Sequence, residues 1–338
     1  MDTKIKTPLP KYVQIEPVGQ CNLDCQMCPI QFRQDGPPFG PPAFMDFDLF
    51  RRILDQFPDM ETLHLQGLGE PMMHPQFFNM VNYAKGRGIR VTTNTNLTLL
   101  NPKRAEACVT SGLDEIHVSI DGANPATYER IRRRGRFNKV LRNLDLLIKA
   151  REKHASDLPH LKMVMVIMQQ NLEELPDLVR LAHEWQMEQV FVQHLSHDFQ
   201  EKSLPEKYRP MREFVDDQTL LNVDLEVIER YFNQARQAAQ ALNLDLRLPR
   251  ARPHYHPPGT PGPERCDWPW NGGYITYDGY VLPCCMVSTP DRINMGNVAE
   301  KRVEEVWNGE AFSVFRSRLS SENPPEICLS CSIYKGTF

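Results

Sequence analysis

Cys21, Cys25 and Cys28, in the run QCNLDCQMCP, put three thiols within a single loop. Structural zinc sites use four protein ligands, and bacterial ferredoxin runs supply a fourth cysteine. Here no fourth cysteine or histidine lies nearby; the first histidine is His64. The C-x3-C-x2-C spacing therefore suits an iron–sulfur cluster held at three corners, with one iron open to an outside ligand and to chemistry. A zinc-bound or unligated trio is the plainer alternative.

Cys266, Cys284, Cys285, Cys328 and Cys331 form a second group near the other end of the chain. The pattern is C-x12-G-x4-C through Gly279, followed much later by C-x2-C. Gly273 to Leu282 reads as a β-hairpin turning at Asp278-Gly279. Cysteines at each approach to that hairpin can clamp a cluster against the later C-x2-C pair. Four cysteines and a hairpin also describe a zinc ribbon, and spacing alone leaves zinc and iron–sulfur open. Cys285 is left over, as a buried neighbour, a substitute ligand for Cys284, or a hydrogen-atom donor. Cys108 stands alone in a predicted helix, where it reads as a small buried hydrophobe.

The elements that must position these thiols alternate strand and helix patterns. Strands are predicted at 12–16, 61–66, 89–94, 114–120, 161–168 and 188–193, separated by stretches with apolar spacing of three and four, such as Phe47-Phe50-Ile53-Leu54. Asp46 and Asn101 suit helix N-caps, and Pro102 suits a first helical position. Six βα units imply a parallel sheet with right-handed crossovers, too few for a closed eight-fold barrel. The expectation is an α/β fold, a partial (β/α)6 barrel with a small C-terminal hairpin-plus-helix domain. The active site then belongs at the C-terminal strand ends, which selects Gln66 to Glu70, Asn94, Asn96, Ser119, Asp121, Gln169, Gln193 and His194.

Residues 196–222 read as irregular and polar, 225–242 as helix, 244–248 as a short strand and 303–320 as helix. Pro249 to Arg265 carries six prolines and two histidines and reads as a linker or wrapping loop. The predicted division is 1–222, 223–265 and 266–338. Arg132-Arg133-Arg134 with Arg136 reads as a solvated helix end, with phosphate or carboxylate binding as the alternative.

Hydrophobic content of 41% and charged content of 24% fit a globular protein with a real core, and a net charge of -4 gives no electrostatic case for nucleic acid or an anionic membrane. The longest apolar run, Met163 to Met168, is far short of a membrane span, and MDTKIKTPLPKY has no signal-peptide apolar core. A cytoplasmic protein is expected, so grouped cysteines point to metal rather than disulfides.

The stretch CNLDCQMC resembles the cluster motif of the radical S-adenosylmethionine (SAM) superfamily, C-x3-C-x-Φ-C, with Met27 at the Φ position. Gly69-Glu70-Pro71 resembles that family's GEP motif, which binds the methionine amino group of SAM. Asn94 in TTNTN, and Ser119 and Asp121 in SIDG, match positions that contact the ribose and sulfonium region, with Gln169 a weaker match. The resemblance implies a [4Fe–4S] cluster on Cys21, Cys25 and Cys28 whose open iron chelates SAM. One electron then cleaves SAM to methionine and a 5′-deoxyadenosyl radical that takes hydrogen from substrate.

The run from Gly273 to Tyr334, with PCC, GNV and EVWNG, resembles the auxiliary-cluster extension of SPASM and twitch members. It implies one auxiliary [4Fe–4S] cluster on Cys266, Cys284, Cys328 and Cys331, two clusters in all, and an electron donor of flavodoxin or ferredoxin type. About ten residues precede the first strand, which argues against a leader-binding domain. A sugar-, nucleoside- or aminocyclitol-like substrate is therefore expected, to be oxidised, decarboxylated or epimerised, with Cys285 as a hydrogen donor. The alternatives are peptide maturation and a non-catalytic zinc-ribbon protein.

Overall fold

The computed structural model describes residues 6–32, 43–195 and 199–336. Its strands are β1 (Tyr12–Ile15), β2 (Asp24–Cys25), β3 (Thr62–Leu65), β4 (Arg90–Thr95), β5 (Glu115–Ser119), β6 (Arg132–Arg133), β7 (His160–Ile167), β8 (Gln189–His194), β9 (Asp245–Arg247), β10 (Gly272–Ile275) and β11 (Val281–Leu282). Nine of them form one sheet in the order β11-β10-β1-β3-β4-β5-β7-β8-β9, while β2 and β6 pair as a separate antiparallel ribbon. The six predicted strands are β1, β3, β4, β5, β7 and β8. They run parallel in chain order, with helices such as Phe47–Leu54 and Phe137–Lys153 in the crossovers. This is a mixed α/β fold built on a parallel sheet. Asp46 and Asn101 cap their helices as expected, accepting from the backbone N–H groups of Leu49 and Arg104.

The alternation along the strands decides what each face of the sheet does. Val13, Ile15, Leu63, Leu65, Val91, Ile116, Val118, Leu161, Met163, Met165, Val190 and Val192 are fully buried and belong to one continuous core. The opposite face is largely polar. Register pairs Gln14 with His64, His64 with Thr92, Thr92 with Glu115, and Asn94 with His117, so these side chains share that face. Gln14 of β1, Asn94 of β4, Ser119 of β5, Gln193 of β8 and Tyr274 of β10 line one cavity, which requires the sheet to curl around its polar face.

Two segments depart from expectation. The hairpin is not confined to a separate appendage: β10 pairs parallel with β1 and extends the sheet, while β9 extends the other edge beyond β8. Residues 199–222 contain a helix, Arg209–Gln218, whose Met211 and Val215 pack with Phe199 and Tyr208 into a second small core. Its polar composition hides the one i, i+4 apolar pair that makes it bind. Residues 196–198 lie outside the described residues. The predicted helix at 303–320 is two, Val303–Trp307 and Glu310–Leu319, broken at Asn308-Gly309.

The floor of the curl is closed by charge. Glu115, nearly buried, receives Arg90 (2.8 Å), Lys162 (2.9 Å) and His117. His117 sits beside His64, which hydrogen-bonds Thr92 Oγ1 at 2.6 Å and is held neutral by burial, its pKa lowered to about 3. Burial alone would raise the Glu115 carboxyl, but His117 and Lys162 hold it at about 2, below its ordinary 4.5. The stability this adds is present above pH 4.5 and lost as pH falls toward 2. Glu115→Gln should therefore cost about 1–2 kcal/mol at pH 7 and flatten the fall of Tm with acid in that window. Thermal unfolding across pH checks both.

Candidate active site

The cysteine loop leaves β1 and is fastened twice. Cys25 lies in β2, paired with Arg132 of β6, and Gln26 N–H donates to the Ile131 carbonyl at 3.0 Å. Leu23 N–H points at Cys21 Sγ (3.4 Å), and Asn96 Nδ2 approaches the same sulfur at 3.7 Å. Cys21, Cys25 and Cys28 all line a cavity of about 520 Å³ at the C-terminal ends of the strands. Met27, Gly69, Glu70, Asn94 and Ser119 line it too, together with Gln14, Gln66, Asn96, Gln193 and His194. Burial raises all three thiols, Cys28 to about 12.

Glu70 is an architectural carboxylate. It accepts from Thr95 Oγ1 (2.6 Å), Asn96 N–H (2.8 Å) and Met72 N–H (3.3 Å), although burial pushes its carboxyl up. Gly69 lets that turn pass against the cysteine loop: a Cβ there would meet the Val18 carbonyl oxygen at 2.0 Å and that of Gln20 at 2.6 Å. Pro71 starts the short turn Pro71–Met73 behind the wall and is not among the cavity residues. Asn94 Oδ1 is buried without a hydrogen-bond partner among the described residues. An unmet acceptor beside three thiols and a polar strand-end rim suits a cavity that takes a polar cofactor next to a cluster.

Besides Pro71, two expected contact residues do not reach the cavity. Asp121 is fully buried behind it, taking Val166 N–H on Oδ1 (2.8 Å) and standing 2.6 Å from Arg132 Nε through Oδ2. Gln169 is exposed, and its Nε2 donates to the carbonyls of Asp217 and Thr219, tying β7 to the helix beyond. In both cases the strand has ended one or two residues too early for the side chain to face inward. Asn171 is likewise structural, binding Met168 N–H and the Asp121 carbonyl.

Arg132 reverses the expectation of a solvated basic run. It is buried, lines the cavity, and its Nη1 comes within 4.0 Å of Cys25 Sγ. Burial alone would lower it, but Asp121 and Cys25 outweigh that and hold the guanidinium above its ordinary range. Arg133, Arg134 and Arg136 are exposed. The one sequence signal was the position of Arg132 at a helix end, which says nothing about burial.

The second thiol group splits. Cys266, Cys284, Cys328 and Cys331 line one apolar pocket with Trp268, Pro269, Met286, Phe315 and Tyr334. Cys285 lines the large cavity instead, and burial raises its thiol to about 12. Among the described residues no three His, Cys, Asp or Glu side chains are gathered to hold a single ion; the thiols border two hollows instead. A buried link joins the hollows. Glu201 accepts from Arg292 and from the Ser330 hydroxyl, which lies between Cys328 and Cys331, and Arg292 stacks over Phe199 of the cavity wall.

The curled parallel sheet and its thiol-lined cavity define an α/β protein with its chemistry at the C-terminal strand ends. Family models add the identity. The radical SAM superfamily model matches residues 15–182, and the SPASM iron–sulfur cluster-binding domain matches 266–332. The chain belongs to the radical SAM superfamily, with a SPASM region, so its cofactors are SAM and iron–sulfur clusters. The members of this family are enzymes.

A tungsten-containing aldehyde ferredoxin oxidoreductase cofactor-modifying protein of Pyrococcus furiosus is 28% identical over 96% of this chain and 87% of its own length. PqqA peptide cyclase of Xanthomonas euvesicatoria pv. vesicatoria is 28% identical over 96% of this chain and 80% of its own. Streptococcus suis SuiB bound to SAM shares the fold, with a TM-score of 0.70 at 18% identity over 97% of this chain and 72% of SuiB. No helix among the described residues is long and apolar enough to cross a membrane.

Gly69→Ala should force the turn off the cysteine loop and weaken SAM binding at least tenfold, read by equilibrium titration of the iron-loaded protein. Glu201→Ala removes the carboxylate that faces the buried Arg292 guanidinium, which keeps its bond to the Val287 carbonyl, and should cost about 3–5 kcal/mol, read as a lowered Tm.

Proposed function

We propose that Cys21, Cys25 and Cys28 hold the SAM-binding [4Fe–4S] cluster, and that Cys266, Cys284, Cys328 and Cys331 hold one auxiliary [4Fe–4S] cluster closed to substrate. When bound, the first cluster and SAM supply a 5′-deoxyadenosyl radical that takes a hydrogen atom from substrate. The observation that carries this reading is the sorting of the thiols: three border the polar cavity, four border a separate apolar pocket, and Cys285 falls on the cavity side.

The chain's own residues divide the work. Asn94 and Ser119 offer hydrogen-bonding groups around the position SAM would take, and Met27 covers it from the cysteine loop. Phe199, Met211 and Val215 form an apolar wall that excludes water. Burial lowers the pKa of His194, whose Nε2 is turned to the Arg250 carbonyl at 2.8 Å. Cys285 stands where a substrate carbon could recover hydrogen. Electrons would come from a donor of flavodoxin or ferredoxin type.

A cavity of about 520 Å³ falls within the range that holds one drug-sized molecule, and here it is shared with SAM. The room favours a compact reacting unit, a small molecule that is oxidised, decarboxylated or epimerised. A second reading, peptide maturation with a single side chain entering the cavity, is supported by the apolar wall and by the likeness to PqqA peptide cyclase.

Anaerobically rebuilt protein should carry about eight irons and release 5′-deoxyadenosine with dithionite and SAM. Cys28→Ala should abolish that release. Cys331→Ala should keep it, lose about four irons and lose substrate turnover. Transfer of deuterium from labelled candidate substrates into 5′-deoxyadenosine separates the two substrate readings.

A further inference from the structure

Among the described residues, Cys25 is the one of the three thiols whose sulfur a buried guanidinium approaches within hydrogen-bonding reach. The ribbon of β2 and β6 sets Cys25 opposite Arg132 and Asp24 opposite Arg133. Arg132 Nη1 lies 4.0 Å from Cys25 Sγ, and its Nε lies 2.6 Å from Asp121 Oδ2. Asp121 is fully buried and Arg132 nearly so. Asp121 receives Val166 N–H on one oxygen and faces the guanidinium with the other, the arrangement of a carboxylate rather than an acid. Sulfur, cation and anion thus stand in sequence, running from the cavity edge into the protein.

Charges in such surroundings act strongly on one another, because little water screens them. Hydrogen bonds and charges near the sulfurs, with solvent exposure, are what tune iron–sulfur reduction potentials. We propose that Arg132, held in place by Asp121, is the charge partner of Cys25 that sets the reduction potential of the cluster in the cavity. Arg132 is a positioning and tuning residue, and the assignment rests on the reading of Cys21, Cys25 and Cys28 as cluster ligands.

The sign follows from the electron count. Reduction adds one negative charge to the cluster, and a neighbouring cation favours the reduced form. Removing Arg132 disfavours it, so the potential falls. Removing the charge of Asp121 leaves the cation uncompensated, so the potential rises. Removing both restores a neutral surrounding and returns the potential toward that of the parent. Arg133 is the internal control: it is exposed and bonds the Asp24 carbonyl at 2.9 Å, so solvent and salt screen it.

The experiment is a redox titration of the full-length, iron-loaded protein, followed by the electron paramagnetic resonance of the reduced cluster. The relevant signal is the one that changes when SAM is added. Iron and sulfide are counted in every sample. The expected result is a downward shift for Arg132→Met, an upward shift for Asp121→Asn, an intermediate value for the double variant and no shift for Arg133→Gln. Arg132→Lys should recover most of the parent value, and it serves with Asp121→Asn if Arg132→Met fails to fold. Shifts of the same sign in Arg132→Met and Asp121→Asn, or no shift at full iron content, would overturn the proposal and leave the ligand assignment standing. Parent-level iron and signal in Cys28→Ala would overturn the ligand assignment as well.

Discussion

A parallel strand flanked by helices has two faces with opposite demands, and this structure depends on how they are met. The helix-facing side buries an unbroken apolar layer from Val13 through Val192. That layer supplies the driving force for folding. The other side carries Gln14, His64, Gln66, Thr92, Asn94, Glu115, His117 and Ser119, which cannot be covered by a second apolar layer without leaving polar groups unmet. The sheet instead curls so that these groups face one another. At the bottom they satisfy one another through the Glu115 cluster of charges; at the top they surround a cavity.

The cysteine loop sits over that cavity because short bonds fasten it to neighbours already fixed by the sheet. Glu70 joins the Gly69 turn to Thr95 and Asn96, Asn96 approaches Cys21, and the β2–β6 ribbon joins Cys25 to Arg132. Side chains of β1, β4, β5, β7, β8 and β10 therefore line one cavity with the three thiols. The C-terminal segment is built into the same body, since β10 lies against β1 in the sheet. Its two adjacent cysteines, in the bend and turn that follow β11, face different hollows.

Much of this was legible from residue types and spacing. The six parallel strands fall within a residue or two of their predicted bounds, because the apolar-polar alternation and the helical spacing between strands are both strong. The thiol groups were legible because few other residues serve that chemistry, and Gly69, Glu70, Asn94 and Ser119 followed from the strand-end rule. Three features were misread for one reason. Arg132 and Asp121 are polar in type and buried in fact, and the mostly exposed helix Arg209–Gln218 buries only Met211 and Val215; in each case burial depends on partners far along the chain.

The sequence by itself determined the class of chemistry: local spacing gathers Cys21, Cys25 and Cys28 into one loop whatever surrounds it, and the alternation of the strands dictates a parallel α/β body. Only the tertiary structure decided which charges act on those thiols and which thiols act together. Cys25 and Arg132, 107 residues apart, meet because the ribbon pairs them. Cys284 and Cys285, neighbours in the chain, part because one wall separates the apolar pocket from the cavity. Electrostatic influence falls with distance in space and rises with burial, and neither quantity is written in sequence spacing.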